Sequence, residues 1–101
     1  MATMKQTDPP SHFTAEAKKM WAMLRTDYDL DDAAGLALLR AACEAFQRCE
    51  QARAAIAKDG AVVHDRFGQD KASPWCNIER DARAAMVSAL RALRLSPGDT
   101  Q

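Results

Sequence analysis

The sequence predicts a mainly α-helical fold, in which a short N-terminal helix precedes a long antiparallel helical hairpin with a short β-hairpin between its two long helices. Alanine- and leucine-rich segments with helical spacing lie on both sides of the stretch "IAKDGAVVHDRFGQDKASPW", residues 56–75. This stretch differs from its surroundings, because it contains β-branched residues and two glycines. Two long helices joined by so short a link are expected to fold back on each other.

The first helix is predicted to begin near Thr14, because threonine is a good N-cap and Glu16 suits the positive end of a helix dipole. Its apolar face has the spacing i, i+3, i+4 and i+7: Ala17, Met20, Trp21 and Leu24. Residues 1–13 lack periodicity and contain two consecutive prolines, so they are predicted to form a flexible or loosely docked arm. Residues 14–97 are predicted to form a single helical domain, and residues 98–101 a C-terminal tail.

Asp31 and Asp32 are placed to cap and begin the second helix, which is predicted over residues 31–58. At 1.5 Å per residue this helix is ~42 Å long. Gly60 marks its C-terminal end. A heptad-like seam runs along it: Leu38, Ala42, Ala45, Cys49, Ala52 and Ile56. A second apolar stripe lies beside the seam: Leu39, Cys43 and Phe46.

The apolar arc of this second helix covers about 200°, whereas a helix packed on one core needs little over about 100°. The excess predicts a homo-oligomer with the seam as its interface, since small residues there allow close approach of another helix. The alternative is a compact monomer in which the N-terminal helix covers the second stripe. The first helix is much shorter than the second, which favours the oligomer.

The third helix is predicted to start at Ser73-Pro74, an N-cap followed by proline at the first helical position, and to run to about Leu95. Its apolar face centres on Ala82 and Ala89. Four arginines lie opposite, within an arc of about 80°: Arg80, Arg83, Arg91 and Arg94. Such a row suits the phosphate backbone of duplex DNA. The alternative is the solvated outer face that any amphipathic helix has.

Between the long helices, residues 61–67 are strand-like, Gly68-Gln69 forms a turn, and residues 70–73 return as a second strand. The alternative is an irregular loop. Because an isolated two-stranded hairpin is marginally stable, it is expected to be held by its own helices or by a neighbouring subunit. Arg66 and Lys71 could contact either DNA or a neighbouring hairpin, and the sequence leaves that choice open.

The first helix carries a second candidate DNA-binding group: Lys18, Lys19 and Arg25. The alternative is that these residues only solvate the outer side of the helix. Trp21 and Trp75 both lie on apolar helix faces, so they are predicted to be core anchors and not platforms for base stacking.

Composition and motifs argue against several classes of function. The formal net charge is +0, and no apolar run is long enough to cross a bilayer. Three cysteines and no recognisable signal peptide favour a cytosolic protein with reduced thiols. No catalytic constellation, metal-ligand spacing or phosphate-binding loop is found, so neither an enzyme nor a cofactor is expected.

The order of these parts resembles the small terminase subunit family of tailed double-stranded DNA phages, in its helical-hairpin clade. The resemblance rests on Trp21 and on four further segments: "LLRAACEAF" (38–46), "AKDGAVV" (57–63), "FGQDKASP" (67–74) and "LSP" (95–97). Ser73-Pro74 stands where such proteins often have His-Pro. The segment that follows the last helix, residues 93–97, also departs from the usual Leu-Gly-Leu-Thr-Pro.

The resemblance implies a non-catalytic packaging component without a cofactor. Such a protein forms a homo-oligomeric ring, binds viral double-stranded DNA and delivers it to the large terminase subunit, which carries the ATPase and nuclease. The expected location is the host cell cytoplasm. The alternative is a helical oligomeric interaction or regulatory module that does not bind DNA.

Overall fold

The computed structural model describes residues 8–94, which form three helices and a small two-stranded sheet. The mainly helical class and the β-hairpin that the sequence predicts are both confirmed. In chain order the elements are α1 (Ala15–Asp27), α2 (Ala33–Asp59), β1 (Val62–His64), β2 (Asp70–Ala72) and α3 (Pro74–Ala92).

Each helix begins at a side chain that accepts a hydrogen bond from an otherwise unpaired backbone N–H, as the sequence predicts. The Thr14 hydroxyl accepts from the Ala17 amide at 3.2 Å, and the Ser73 hydroxyl accepts from the Trp75 amide at 3.2 Å. Asp32 caps α2 by accepting from the Gly35 amide at 3.1 Å. A Cβ at Gly35 would lie 2.7 Å from the Asp32 carboxylate, so glycine leaves room for this cap.

The ends of the two long helices differ in how well the sequence predicts them. Gly60 follows α2 with φ 89°, which confirms the predicted stop at a glycine. In contrast, α3 ends at Ala92, before the predicted end near Leu95, and Leu95 lies outside the described residues. The Arg94 amide donates to the Arg91 carbonyl at 2.9 Å, and Arg94 has φ 58°. The chain therefore leaves the helix before Arg94.

Small side chains form the contact between α2 and α3. Ala42, Cys49 and Ala52 of α2 are at most 2% exposed, and Ala82 and Ala89 of α3 are also buried. The chain's own helices cover these three members of the predicted seam, so they do not need a second copy of the chain to be buried. The other three predicted interface residues are half-buried: Leu38, Ala45 and Ile56.

The hydrophobic core lies where α1 crosses the first half of α2, so α1 does cover the second apolar stripe. Its buried members are Phe13, Ala17, Trp21, Leu36, Leu39 and Cys43. Phe13, within the predicted arm, is only 5% exposed and packs edge-on against Trp21, with ring centroids 6.0 Å apart. Leu93 packs against this cluster from the end of α3. Residues 1–7 of the predicted arm lie outside the described residues.

The strands β1 and β2 pair antiparallel, with Val62 opposite Ala72 and His64 opposite Asp70. The Gly68 amide donates to the Asp65 carbonyl at 3.0 Å, and the Asp65 amide donates to the Gln69 carbonyl at 2.9 Å. Gly68 has φ 78°, a conformation that glycine adopts without strain. These bonds close a three-residue loop of residues 66–68, a common β-hairpin connection.

Five large hydrophobic side chains of the described residues are exposed: Met23, Val62, Phe67, Trp75 and Val87. Most of them lie on the hairpin and α3, and none lies on α2. The excess of apolar surface predicted for the second helix is therefore not observed, because α1 and α3 cover its large side chains. Trp21 is a core residue as predicted. Trp75 is 37% exposed, so the prediction that it anchors the core is wrong.

We expect Phe13→Ala to lower the free energy of unfolding by about 3 kcal/mol, because it empties a buried aromatic site. Urea titration followed by circular dichroism measures this change. Met23→Ala is the matched control, since Met23 is 58% exposed and its truncation should cost less than about 0.5 kcal/mol. Equal effects of the two substitutions would contradict the docking of Phe13 in the core.

Candidate nucleic-acid interface

The outer face of α3 brings three of the four predicted arginines together. Arg80, Arg83 and Arg91 line one shallow concavity with Ala84, Val87 and Ser88 between them. The three guanidinium groups thus surround a strip of small or uncharged side chains that a nucleic-acid backbone could approach. Arg94 follows the end of the helix and is not among the lining residues, so it does not continue the helical row.

Glu79 connects α3 to α2 and partly neutralises this face. Its carboxylate is only 15% exposed and forms ion pairs with Arg83 Nη1 and Arg53 Nε, each at 3.4 Å. The Cys49 thiol also donates to it, at 3.7 Å. Arg83 therefore has a structural partner as well as an exposed position. Sequence reasoning missed the contacts from α2, although the i, i+4 spacing of Glu79 and Arg83 predicts their own pairing.

The other two arginines of this face differ in their neighbours. Arg80 Nε lies 3.7 Å from the Asp81 carboxylate, and both side chains are well exposed. Arg91 forms no ion pair with any other residue in 8–94, and it lies in the last turn of α3. A cation in the last turn also interacts favourably with the helix dipole. Within residues 8–94, the unpaired positive charge of the face is thus greatest toward the C-terminal end of α3.

The basic residues of α1 do not share one environment. Lys18 and Lys19 are exposed, and Lys19 Nζ lies 4.0 Å from Glu16. Arg25 is half-buried, and its Nε is enclosed without a hydrogen-bond partner among the described residues. Arg25 is therefore turned partly into the protein, whereas the two lysines face solvent.

The segment before α1 is tied to α2 by polar contacts that the sequence did not reveal. His12 Nε2 lies 2.9 Å from the Glu44 carboxylate, and the Thr14 amide donates to the Gln47 side chain at 2.8 Å. Arg40, one turn before Glu44 in α2, pairs with the same carboxylate at 3.4 Å, as its i, i+4 spacing predicts. Burial alone would raise the pKa of Glu44, but the hydrogen bonds from His12 and Arg40 outweigh it and lower that pKa. Residues more than thirty positions apart give no local signal for such contacts.

The β-hairpin contains one ion pair and equal numbers of acidic and basic side chains. His64 Nδ1 lies 2.8 Å from the Asp70 carboxylate, and the Arg66 guanidinium lies 4.9 Å from the centre of the Phe67 ring. Lys71 is exposed on the second strand. Asp65 and Asp70 offset the charges of Arg66 and Lys71, so the formal net charge of the hairpin is zero when His64 is counted as neutral. The hairpin therefore does not extend the basic face of α3.

Two of the three thiols are enclosed and poorly ionised. Burial, with a smaller effect from the Glu44 charge, raises the pKa of Cys43 to about 12. Burial also raises the pKa of Cys49, and the nearby Glu79 adds to this effect while Arg53 opposes it. Across residues 8–94 no group of three or more histidine, cysteine or acidic side chains is placed to hold a metal ion. Nor does that part of the chain contain a helix suited to crossing a membrane.

The fold and this surface define a small helical module with an exposed arginine face. A family model described as phage terminase, small subunit, matches residues 15–101. The chain therefore belongs to the phage terminase small subunit family, which confirms the resemblance seen in the sequence. Membership implies a role in phage DNA packaging, and the family is generally regulatory and non-catalytic. Searches of curated proteins and of solved structures found no significant match.

We expect Cys76 to be alkylated by iodoacetamide well before Cys43 and Cys49 in the folded protein. Cys76 is half-exposed, whereas a pKa of about 12 leaves only about one Cys43 thiol in ten thousand ionised at pH 8. Peptide mass spectrometry over a time course measures the order of labelling. After unfolding, the three thiols should be labelled at equal rates. Equal labelling rates in the folded protein would contradict the packing of α2.

Proposed function

We propose that the protein is a non-catalytic adaptor of phage genome packaging. In this function it binds viral double-stranded DNA as a homo-oligomer, in the form of a ring, and delivers the DNA to the large terminase subunit in the host cytoplasm. The observation that carries the proposal is the family match over residues 15–101. The arginine face of α3 supplies the candidate DNA contact: Arg80, Arg83 and Arg91, with Arg94 just beyond the helix.

The chemistry of this face supports contact with the DNA backbone. Guanidinium groups match the geometry of phosphate oxygens and release condensed counterions when they bind. The side chains between the arginines are Ala84, Val87 and Ser88, of which only serine can hydrogen-bond to a base. Repetition of the face around an assembly adds many weak contacts into one stable association.

Lys18 and Lys19 of α1 are the secondary candidates for DNA contact, because both amino groups are exposed. Arg25 contributes less in this proposal, since its guanidinium is partly enclosed. Leu38, Ala45 and Ile56 stay candidates for contact between copies, because they are only half-buried. Ala42, Cys49 and Ala52 have a role within the chain, where they support the helix that carries the arginines.

A second candidate function is an oligomeric interaction or regulatory module that does not bind DNA. The carboxylates near two of the arginines favour it, since Asp81 and Glu79 reduce the charge available to phosphate. The two functions differ in one measurable property, which is binding of duplex DNA at low salt.

We expect Arg91→Glu to weaken duplex DNA binding at least tenfold at about 100 mM salt, because it places a carboxylate where a phosphate would lie. The slope of log K against log salt should become shallower by about one for each engaged subunit. Fluorescence anisotropy with a labelled duplex, repeated over a salt series, measures both quantities.

Lys58→Glu is the matched control for this experiment. Lys58 is the last-turn cation of α2, as Arg91 is of α3, so both reversals have the same charge change and a similar helix-dipole cost. Light scattering should show the same assembly mass for both variants as for the wild-type protein. Equal loss of DNA binding in the two variants would count against the α3 face, and a wild-type assembly that ignores DNA at low salt would support the second function.

A further inference from the structure

The β-hairpin carries an apolar knob, formed by Phe67 and Val62, that no other part of residues 8–94 covers. Phe67, at the tip, is 74% exposed, and Val62 on the first strand is 58% exposed. In contrast, the large hydrophobic side chains of α2 are all at least half-buried. Exposed aromatic side chains on a projecting element are typical of surfaces that bind another protein.

Hydrogen bonds within the turn stabilise the backbone that carries Phe67. The Asp65 carboxylate accepts from the Phe67 amide at 2.8 Å and from the Gln69 amide at 2.9 Å. The Arg66 guanidinium lies 4.9 Å from the centre of the Phe67 ring, within the range of a cation–π interaction. Because the turn is already ordered, docking of Phe67 loses little conformational entropy.

A groove on the flank of the helical hairpin has the features that such a knob needs. Residues from both α2 and α3 line it: Ala45, Arg48, Ile78, Asp81, Ala82 and Ala85. The alanines and the isoleucine form its apolar floor. Arg48 and Asp81 are exposed and place one positive and one negative charge beside that floor.

The charges of the knob complement those of the groove. Arg66 precedes Phe67 at the tip, and Asp65 and Asp70 lie beside it in the hairpin. Arg66 can pair with Asp81, and an aspartate of the hairpin can pair with Arg48, while Phe67 covers the alanines. The hairpin has no net charge, so its charges favour an apolar protein groove over DNA.

We propose that the hairpin tip of one copy docks into the α2–α3 groove of the next copy. This inference rests on the proposed function, because it supplies the contact that a homo-oligomer requires. Knob and groove are different surfaces of the same chain, so the contact is head-to-tail. Repeated head-to-tail contacts close into a ring when the rotation between neighbours divides a full turn.

Two substitutions test the contact from its two sides. Phe67→Ser removes the knob, and Ala85→Lys fills the groove and offers Asp81 a competing cation. Both positions are exposed, so circular dichroism should show unchanged helix content. Each variant alone is expected to give monomers by native mass spectrometry, whereas Met23→Ser, which alters another exposed hydrophobic residue, should keep the wild-type assembly.

Mixing the two variants gives the sharpest result. The Phe67→Ser chain keeps a usable groove and the Ala85→Lys chain keeps a usable knob, so one contact forms and the mixture should give a one-to-one heterodimer that cannot grow. Two results would overturn the hairpin contact while leaving the adaptor function standing. One is a Phe67→Ser variant that still forms the wild-type assembly, and the other is a mixture in which both variants stay monomeric. A wild-type monomer that does not bind duplex DNA would overturn both.

Discussion

The close approach of α2 and α3 through small side chains is the constraint on which the rest of the structure depends. Ala42, Cys49 and Ala52 are almost completely buried against α3, where Ala82 and Ala89 are also buried. Larger side chains at these positions would push the two helices apart. Because this contact fixes the rotation of α3, the arginines on its opposite side face solvent. Packing inside one chain thereby sets the direction of the proposed DNA surface.

The division of labour between the remaining parts follows from this packing. α1 and the segment before it cover the first half of α2, so the helical body is complete within one chain. The hairpin takes little part in that body and leaves Phe67 and Val62 exposed. In the proposed oligomer, contacts between copies through the hairpin would leave the core undisturbed. In a packaging adaptor, such a separation would leave the arginine face intact while subunits assemble.

Local sequence signals predict most of this fold, because caps, apolar spacing and glycine stops act within a few residues. Thr14, Asp32 and Ser73 cap their helices as expected, and Gly60 ends α2. A helical wheel gives the direction of an apolar stripe but not which neighbour covers it, so the seam could be assigned to a second copy. Contacts distant in sequence, such as Glu79 with α2 and Phe13 with Trp21, leave no local pattern.

Disulfide trapping tests most directly whether α2 packs on α3 of the same chain. Cys49 Sγ lies 3.7 Å from Glu79 Oε1 across the two helices, so Glu79→Cys places a second thiol on the side of α3 that faces Cys49. Cys76→Ser in the same chain removes the half-exposed thiol. After mild oxidation, non-reducing electrophoresis and intact-mass analysis should show a single chain that has lost two hydrogens. A covalent dimer linked through these positions would show that the seam joins neighbouring copies and would contradict the account.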